Sequence, residues 1–349
     1  KLLIDGSNYL GILLTYPVKK KLDKIVKLNN NLIKKGTDNS NVVSFIGSGN
    51  YCKKILIPSF SKYGVVFNTI VSNSGLGPTQ VGKKFRFSFS STDLKDITDN
   101  TNSGSVVIAT RHDSHAKIII DCLLKKKNIF VEKPLCLTRQ ELINIKEIYT
   151  GENIIMVGFN RRFSPYIKKI KKYLEKVNST KSFIYTVNAG YIPHDHWTQN
   201  VELGGGRLIG EACHFLDLIR FLADSPIVKI NLFESPNNKY PSDIFSLQTI
   251  FKDGSIGTIH YFSNGNRNFP KERLEVFFAG RIICLDNFRK LKTWGFSELS
   301  MGKSFKQDKG QDNCVKAFMD SVINKKESPI PFSELVEVQE KIFEALEGK

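Results

Sequence analysis

Glu132, Lys133 and Pro134 end the run Asn128-Ile129-Phe130-Val131-Glu132-Lys133-Pro134. Its apolar triplet reads as a short buried strand. Proline stops the strand and biases Lys133 toward an extended backbone. Open α/β sheets hold their ligands at the carboxyl ends of their strands. A charged pair there is either an ordinary solvated strand end or a group placed to bind a ligand and handle a proton. Lys133 is the residue suited to the second role.

A second group with chemical potential is Gly47-Ser48-Gly49-Asn50-Tyr51-Cys52, which follows an apolar run. Gly47 permits a tight turn. Gly49 lets backbone amides, with Asn50 and Tyr51 next in line, approach a pyrophosphate at a helix N-terminus. Cys52 stands where the dinucleotide fingerprint has a third Gly or Ala. An ordinary glycine-rich turn is the alternative. The following strand ends Val71-Ser72-Asn73-Ser74-Gly75, without the acid that would hold a ribose 2′-hydroxyl and without an arginine for a 2′-phosphate. Ser72 and Asn73 suit either cofactor, so NAD and NADP both remain open. A third strand end, Ala109-Thr110-Arg111, can pass under the middle of the cofactor. His115, at the start of the next helix, is either a capping and packing residue or a functional one.

These groups need elements to hold them. Strands are expected at Val42–Ile46, Val65–Val71, Ser105–Ala109, Ile129–Val131 and Ile154–Val157. Helices are expected over Lys53–Lys62, Ser114–Lys127 and Arg139–Tyr149. The alternation implies a parallel, doubly wound α/β sheet. Beyond Gly158 the rhythm changes. Helices are expected over Phe163–Val177 and Arg207–Ala223, the latter after Gly204-Gly205-Gly206. Strands at Phe183–Ala189, Val228–Phe233, Ile244–Lys252, Ser255–Phe262, Leu274–Ala279 and Arg281–Asp286 suggest an antiparallel sheet, with Asp253-Gly254 as a hairpin turn. Helices over Cys314–Lys325 and Ser333–Leu346 close the chain. The division expected is a tail and linker over 1–40, a dinucleotide-binding domain over 41–158, and a substrate and oligomerisation domain over 159–349.

Composition narrows the class. The 349 residues are 41% apolar, enough for two cores. No apolar run approaches a membrane span and no signal-peptide pattern opens the chain, so a cytoplasmic protein is expected. Cys52, Cys122, Cys136, Cys213, Cys284 and Cys314 are scattered without a C-x-x-C pair, which reads as reduced core thiols and no metal site. The net charge of +17 comes mainly from lysines spread along the whole chain. Basic residues are not interleaved with stacking aromatics, so nucleic acid is not the expected partner.

Taken in order, these motifs resemble the Gfo/Idh/MocA oxidoreductases over residues 41–349. The resemblance is carried by Gly47-x-Gly49-Asn50, Ala109-Thr110 with His115, and Glu132-Lys133-Pro134. It continues through Gly158-Phe159-Asn160-Arg161-Arg162-Phe163-Ser164-Pro165 and Gly204-Gly205-Gly206 with His214 and Asp217. It implies a Rossmann domain followed by an α/β domain with an open, mostly antiparallel sheet. The implied reaction is NAD(P)-dependent hydride transfer at a carbinol carbon of a sugar, sugar nucleotide or cyclitol. Residues 1–17, with Tyr9-Leu10-Gly11-Ile12-Leu13-Leu14, resemble the tail of a zinc-dependent medium-chain alcohol dehydrogenase. The chain starts at Lys1 rather than Met, so a piece of a two-enzyme fusion is expected.

In that family a lysine and a histidine, supported by an aspartate one helical turn earlier, handle the proton. Lys133 and His214 match, but the aspartate position is Gly210. Glu211 stands one place later, about 60° from His214 on an α-helix, and is the expected substitute. His214 points away from the apolar stripe of Leu208, Ala212, Phe215, Leu216, Ile219 and Leu222, which argues against a core histidine. The resemblance also implies that Glu132 contacts the nicotinamide ribose and that Pro134 follows a cis bond. Arg161, together with Tyr191, His196 and Trp197 of a polar and aromatic loop, are candidate substrate contacts, with a plain surface loop as the alternative. An exposed face of the second sheet suggests a homodimer or homotetramer. Two competing readings are a cofactor-binding regulatory module without catalysis, favoured by Gly210, and a polyanion binder driven by charge.

Overall fold

A computed structural model describes residues 13, 15, 24–29, 39–236, 242–296 and 302–348. The stretch 1–17 therefore lies outside the described residues except for Leu13 and Thr15. The first sheet has seven strands: β1 Ile25–Lys27, β2 Val42–Ile46, β3 Val66–Val71, β4 Phe89–Ser91, β5 Ser105–Ile108, β6 Asn128–Val131 and β7 Ile155–Val157. Their order is β1-β4-β3-β2-β5-β6-β7, parallel throughout except for the β1–β4 pair. Chain order reverses between β2 and β5, so a crevice opens at their carboxyl ends. Gly47 follows β2 there, and Ala109 and Thr110 follow β5.

The strands β2, β5 and β7 are mostly apolar and are buried along their whole length because helices cover the sheet. His115–Leu124 buries Ile118, Ile119 and Cys122. Arg139–Ile148 begins with a reciprocal cap between Thr138 and Glu141 and buries Leu142 and Ile145. A π-helical turn, Cys52–Leu56, runs into the helix Ile57–Ser61. Pro58 lies inside this continuous winding, directly after the π turn, where the local change of winding accommodates a residue without an N–H.

The second sheet has eight strands: β8 Ser182–Asn188, β9 Ile227–Glu234, β10 Ile244–Phe251, β11 Ile256–Phe262, β12 Glu272–Phe278, β13 Arg281–Asp286, β14 Lys290–Trp294 and β15 Gly302–Lys303. The order is β15-β14-β13-β12-β8-β11-β10-β9, with β8–β11 the parallel pair among antiparallel ones. Alternation along β8 buries Phe183, Tyr185 and Val187. On β11 it buries Ile259 and Tyr261. These residues face the helix Cys213–Ala223, which buries Phe215, Leu218, Ile219 and Leu222. The buried apolar residues of both sheets form one continuous cluster.

Several elements were not expected. The helix Leu76–Phe85 is broken up in sequence by Gly77, Pro78 and Gly82. β4 and β15 are too short to carry a pattern. β1 lies within the stretch read as linker. It is exposed along its length, so its partner is chosen by the backbone edge of β4 rather than by side-chain burial. Leu28 then packs over Gly82, where an added Cβ would lie 2.3 Å from Leu28 Cδ1.

Candidate functional site

Gly47 turns the chain out of β2 with φ +106°, and a Cβ there would sit 2.3 Å from the Ala109 carbonyl oxygen. Only glycine fits between the two strand ends. Its amide donates to the Val71 carbonyl, which ties the ends of β2 and β3 together. Cys52 packs behind the turn, with its thiol 3.2 Å from the Gly47 carbonyl. A Cβ on Gly49 would meet nothing within 4 Å, so open space lies over the turn between it and the exposed Asn50 and Tyr51. A backbone cradle with open space above it at a switch point fits a dinucleotide pyrophosphate. Ser72 and the exposed Asn73 flank it, and no acid stands at that strand end.

After β5, Thr110 Oγ1 accepts from the Ser114 hydroxyl at 2.7 Å. His115 is fully buried, with Nδ1 2.7 Å from the Pro134 carbonyl. A carbonyl only accepts, so Nδ1 carries the proton. His115 therefore acts as a brace that fixes the turn after Lys133. The Lys133–Pro134 peptide bond is cis. Glu132 packs against Gly158, where a Cβ would fall 2.7 Å from its Oε1. Burial pushes the Glu132 carboxyl up to about 7, although Lys133 and Arg161 oppose the shift.

Lys133 reaches from the end of β6 to the second domain, and its Nζ donates to the Gly210 carbonyl at 2.7 Å. Gly210 lies in a π-helical segment, Leu208–Ala212, that continues as Cys213–Ala223. The position expected to carry an aspartate is closed to one. A Cβ on Gly210 would lie 2.9 Å from the Gly204 carbonyl oxygen and 3.1 Å from His112 Cε1. His112 occupies this space from the turn after β5 and donates through Nδ1 to Gly204 at 2.8 Å. Burial and then Lys133 lower the His112 pKa to about 3, so its ring is neutral.

His214 is 6% exposed, with its ring edge-on to Phe159 at 5.8 Å. Its Nδ1 is buried without a hydrogen-bond partner among the described residues. Burial, then Arg161, Lys133, Lys271 and Lys309, hold the imidazole well below its ordinary pKa, so it is neutral.

The expected pairing of Glu211 with His214 needs correction. Glu211 accepts from Tyr261 Oη at 2.6 Å and Lys271 Nζ at 3.0 Å, and lies 3.2 Å from Arg207 Nη1. The 60° separation assumed α geometry. Across the wider π turn that angle does not hold, and Glu211 faces β11 and the start of β12. Burial raises its carboxyl, but Lys271, Lys133 and Arg207 outweigh this and bring it to about 2.

Arg161 also differs from expectation. Its guanidinium is buried and makes two bonds to Glu272, at 2.8 and 2.9 Å. Glu272 further accepts from Tyr185 at 2.6 Å and Lys309 at 2.7 Å. Arg161 is thus committed to protein, because an unpaired buried guanidinium would cost several kcal/mol. Its neighbour Arg162 clasps Asp217 through Nε and Nη2 and also pairs with Glu334, anchoring the histidine-bearing helix.

The 191–197 loop divides. Trp197 reaches the first domain, edge-on to His112 at 4.8 Å, with Arg111 over its ring at 5.8 Å. His196 caps the turn Trp197–Gln199 and its Nδ1 is 2.8 Å from Thr198 Oγ1. Tyr191 is exposed against His194. The structure therefore brings together Lys133, Glu132, His214, Trp197 and the Gly47 turn, and leaves Tyr191 at the surface.

Sequence reasoning missed His112, Arg207, Tyr261, Lys271, Glu272 and Lys309. Only Glu272 left a signal. It occupies an inward register with Leu274, Val276 and Phe278, a carboxylate where the strand pattern asks for an apolar residue.

Fold and site together define a two-domain α/β protein whose cleft joins a dinucleotide cradle to a lysine and a buried histidine. The chain belongs to the Gfo/Idh/MocA oxidoreductase family. The family model described as "Oxidoreductase family, NAD-binding Rossmann fold" matches residues 42–159, and "Oxidoreductase family, C-terminal alpha/beta domain" matches 167–280. Myo-inositol 2-dehydrogenase of Thermotoga maritima is 23% identical over 205 residues, 57% of this chain and 61% of that protein. Levoglucosan dehydrogenase of Pseudarthrobacter phenanthrenivorans is 30% identical over 151 residues, 41% of this chain and 39% of that protein. The chain thus aligns with less than two thirds of the length of these curated relatives. A solved structure of levoglucosan dehydrogenase with NADH and levoglucosan superimposes with a TM-score of 0.76 at 20% identity, covering 88% of this chain and 97% of that one.

Proposed function

We propose that the protein is an NAD(P)-dependent dehydrogenase or reductase acting at a carbinol or carbonyl carbon of a sugar, sugar nucleotide or cyclitol. The observation that carries this reading is the Lys133–Gly210 contact, which ties the strand end beside the dinucleotide cradle to the winding that leads into His214. Gly47, Gly49, Asn50 and Tyr51 would hold the pyrophosphate, Ser72 and Asn73 the adenosine ribose, and Ala109, Thr110 and Arg111 the middle of the cofactor. Glu132 would contact the nicotinamide ribose. The nicotinamide, when bound, supplies the hydride acceptor or donor.

This chain's own groups handle the proton. Lys133 donates a hydrogen bond to the reacting oxygen, in place of or beside its present carbonyl partner. His214, neutral and with Nδ1 unpartnered among the described residues, takes the hydroxyl proton during oxidation and returns it during reduction. Trp197 offers an aromatic wall for a sugar ring. The dinucleotide unit is assigned to 41–158 and the substrate unit to 159–349, with 1–40 leading into them. A homodimer or homotetramer is assigned on the exposed Ile184, Ile250 and Ile256 of the second sheet, and a cytoplasmic setting on the six free cysteines.

The test is nicotinamide absorbance at 340 nm against a panel of cyclitols, sugars and sugar nucleotides with NAD and NADP. Turnover that vanishes in Lys133→Ala while NADH still binds supports the reading. Full turnover in that variant removes Lys133 from the mechanism. A second reading, a cofactor-binding module without catalysis, is favoured by one observation: His112 fills the aspartate's place at Gly210. NADH binding without turnover of any panel member would establish it.

A further inference from the structure

Near Lys133 and His214 lies a set of cations, with Arg161 and Arg207 buried among them, that outnumbers the carboxylates bonded to it. The groups are linked by direct contacts. Lys133 meets Gly210, the next residue Glu211 meets Lys271 and Arg207, and Lys271 adjoins Glu272, which meets Arg161 and Lys309. In this linked set five cations stand against the two carboxylates Glu211 and Glu272, with Glu132 near Lys133 and Arg161 and Asp243 near Tyr261. The surplus is not the lysine excess of the chain at large. A surface lysine costs little, whereas a cation withdrawn from water needs a counter-charge.

Arg207 is 6% exposed and shares Glu211 with both Lys271 and Tyr261. Its Nε is buried without a partner among the described residues, and its Nη2 reaches only the Gly190 carbonyl at 3.3 Å. Lys271 keeps a side-chain exposure of 41%, so its ammonium has an open side. The two histidines add no charge, since burial keeps both rings neutral.

Resting on the oxidoreductase reading above, we propose that the substrate is an anionic sugar, with its carboxylate or phosphate held by Lys271 and Arg207 beside Glu211. The anion supplies the missing counter-charge, and Glu211 holds both cations in place before it arrives. Arg207, through its planar fork, suits either group.

The test compares glucose and myo-inositol with glucuronate, glucose 6-phosphate and UDP-glucose, by turnover with NAD(P) and by calorimetric binding to the NADH-loaded protein. The expected result is at least tenfold tighter binding of one anionic sugar than of its neutral counterpart, weakening as salt rises. Glucuronate and glucose 6-phosphate separate the carboxylate from the phosphate source. Lys271→Met is expected to weaken the anionic sugar at least tenfold more than its neutral counterpart, with NADH binding as the folding control. Equal affinity for neutral and anionic sugars, no sugar binding at all, or no effect of Lys271→Met overturns the inference. Neutral-sugar turnover without anion preference sinks only the inference. Anionic-sugar binding without turnover sinks only the oxidoreductase reading.

Discussion

Lys133 Nζ and the Gly210 carbonyl oxygen are 2.7 Å apart, a hydrogen bond from a strand end of one domain to a helix of the other. A backbone carbonyl thus receives the lysine at the very residue where the sequence resemblance implies a carboxylate. The ammonium is oriented by this bond, with the Glu132 and Glu211 carboxylates within electrostatic reach.

In the proposed mechanism Lys133 and His214 act on one proton, so their effects should not add. Each alanine variant should lower kcat by ~10²–10⁴-fold, and the double variant should fall little further. Steady-state kinetics on all three, with NADH binding as a control for folding, checks this. Additive losses would show that the two residues serve separate steps.

Gly210→Asp should fail to restore a family-like site. The new side chain meets the Gly204 carbonyl and the His112 ring at once. Gly210→Ala should already cost ~1–3 kcal/mol from overpacking, and Gly210→Asp more. His112→Ala in the Gly210→Asp background should recover part of the loss, a coupling of ~0.5–3 kcal/mol measurable by urea unfolding. No coupling would mean the two side chains do not share the space.

Glu132 should make the cofactor-free protein less stable as pH rises. Its folded pKa is about 7 against an ordinary value of 4.5, raised by burial. A raised acid contributes its stability fully below the unfolded value and loses it as pH climbs through the folded one. The loss between pH 5 and 8 should be no more than about 3 kcal/mol. Glu132→Gln should flatten that slope in Tm, and an unchanged slope would remove Glu132 as its cause.

Asp217 holds the histidine-bearing helix through Arg162. Both side chains are buried, at 0% and 4% exposure. Asp217→Ala leaves Arg162 only Glu334 and should cost ~3–5 kcal/mol. Denaturant midpoints at constant m-value test this; a change below 1 kcal/mol would mean Glu334 suffices.

The first domain was largely legible because its pattern is local. Buried strands and helices alternate at a readable spacing, and Gly47, Lys133 and Pro134 follow strands whose ends a parallel sheet must bring to one edge. β14, which carries no strong apolar alternation, and the π turn before His214 were not legible. The first depends on the neighbouring β13, and the second is a single-residue change of winding that tertiary packing imposes.

Sequence alone determined the family, the two-sheet architecture, the cradle, and the candidacy of Lys133 and His214. Only tertiary structure decided the partners. It assigned Glu211 to Tyr261 and Lys271, Arg161 to Glu272, and the empty place at Gly210 to His112. Hydrophobic periodicity records which face of an element is buried, but a charge is satisfied by whatever the fold brings within hydrogen-bond distance, often from a hundred residues away.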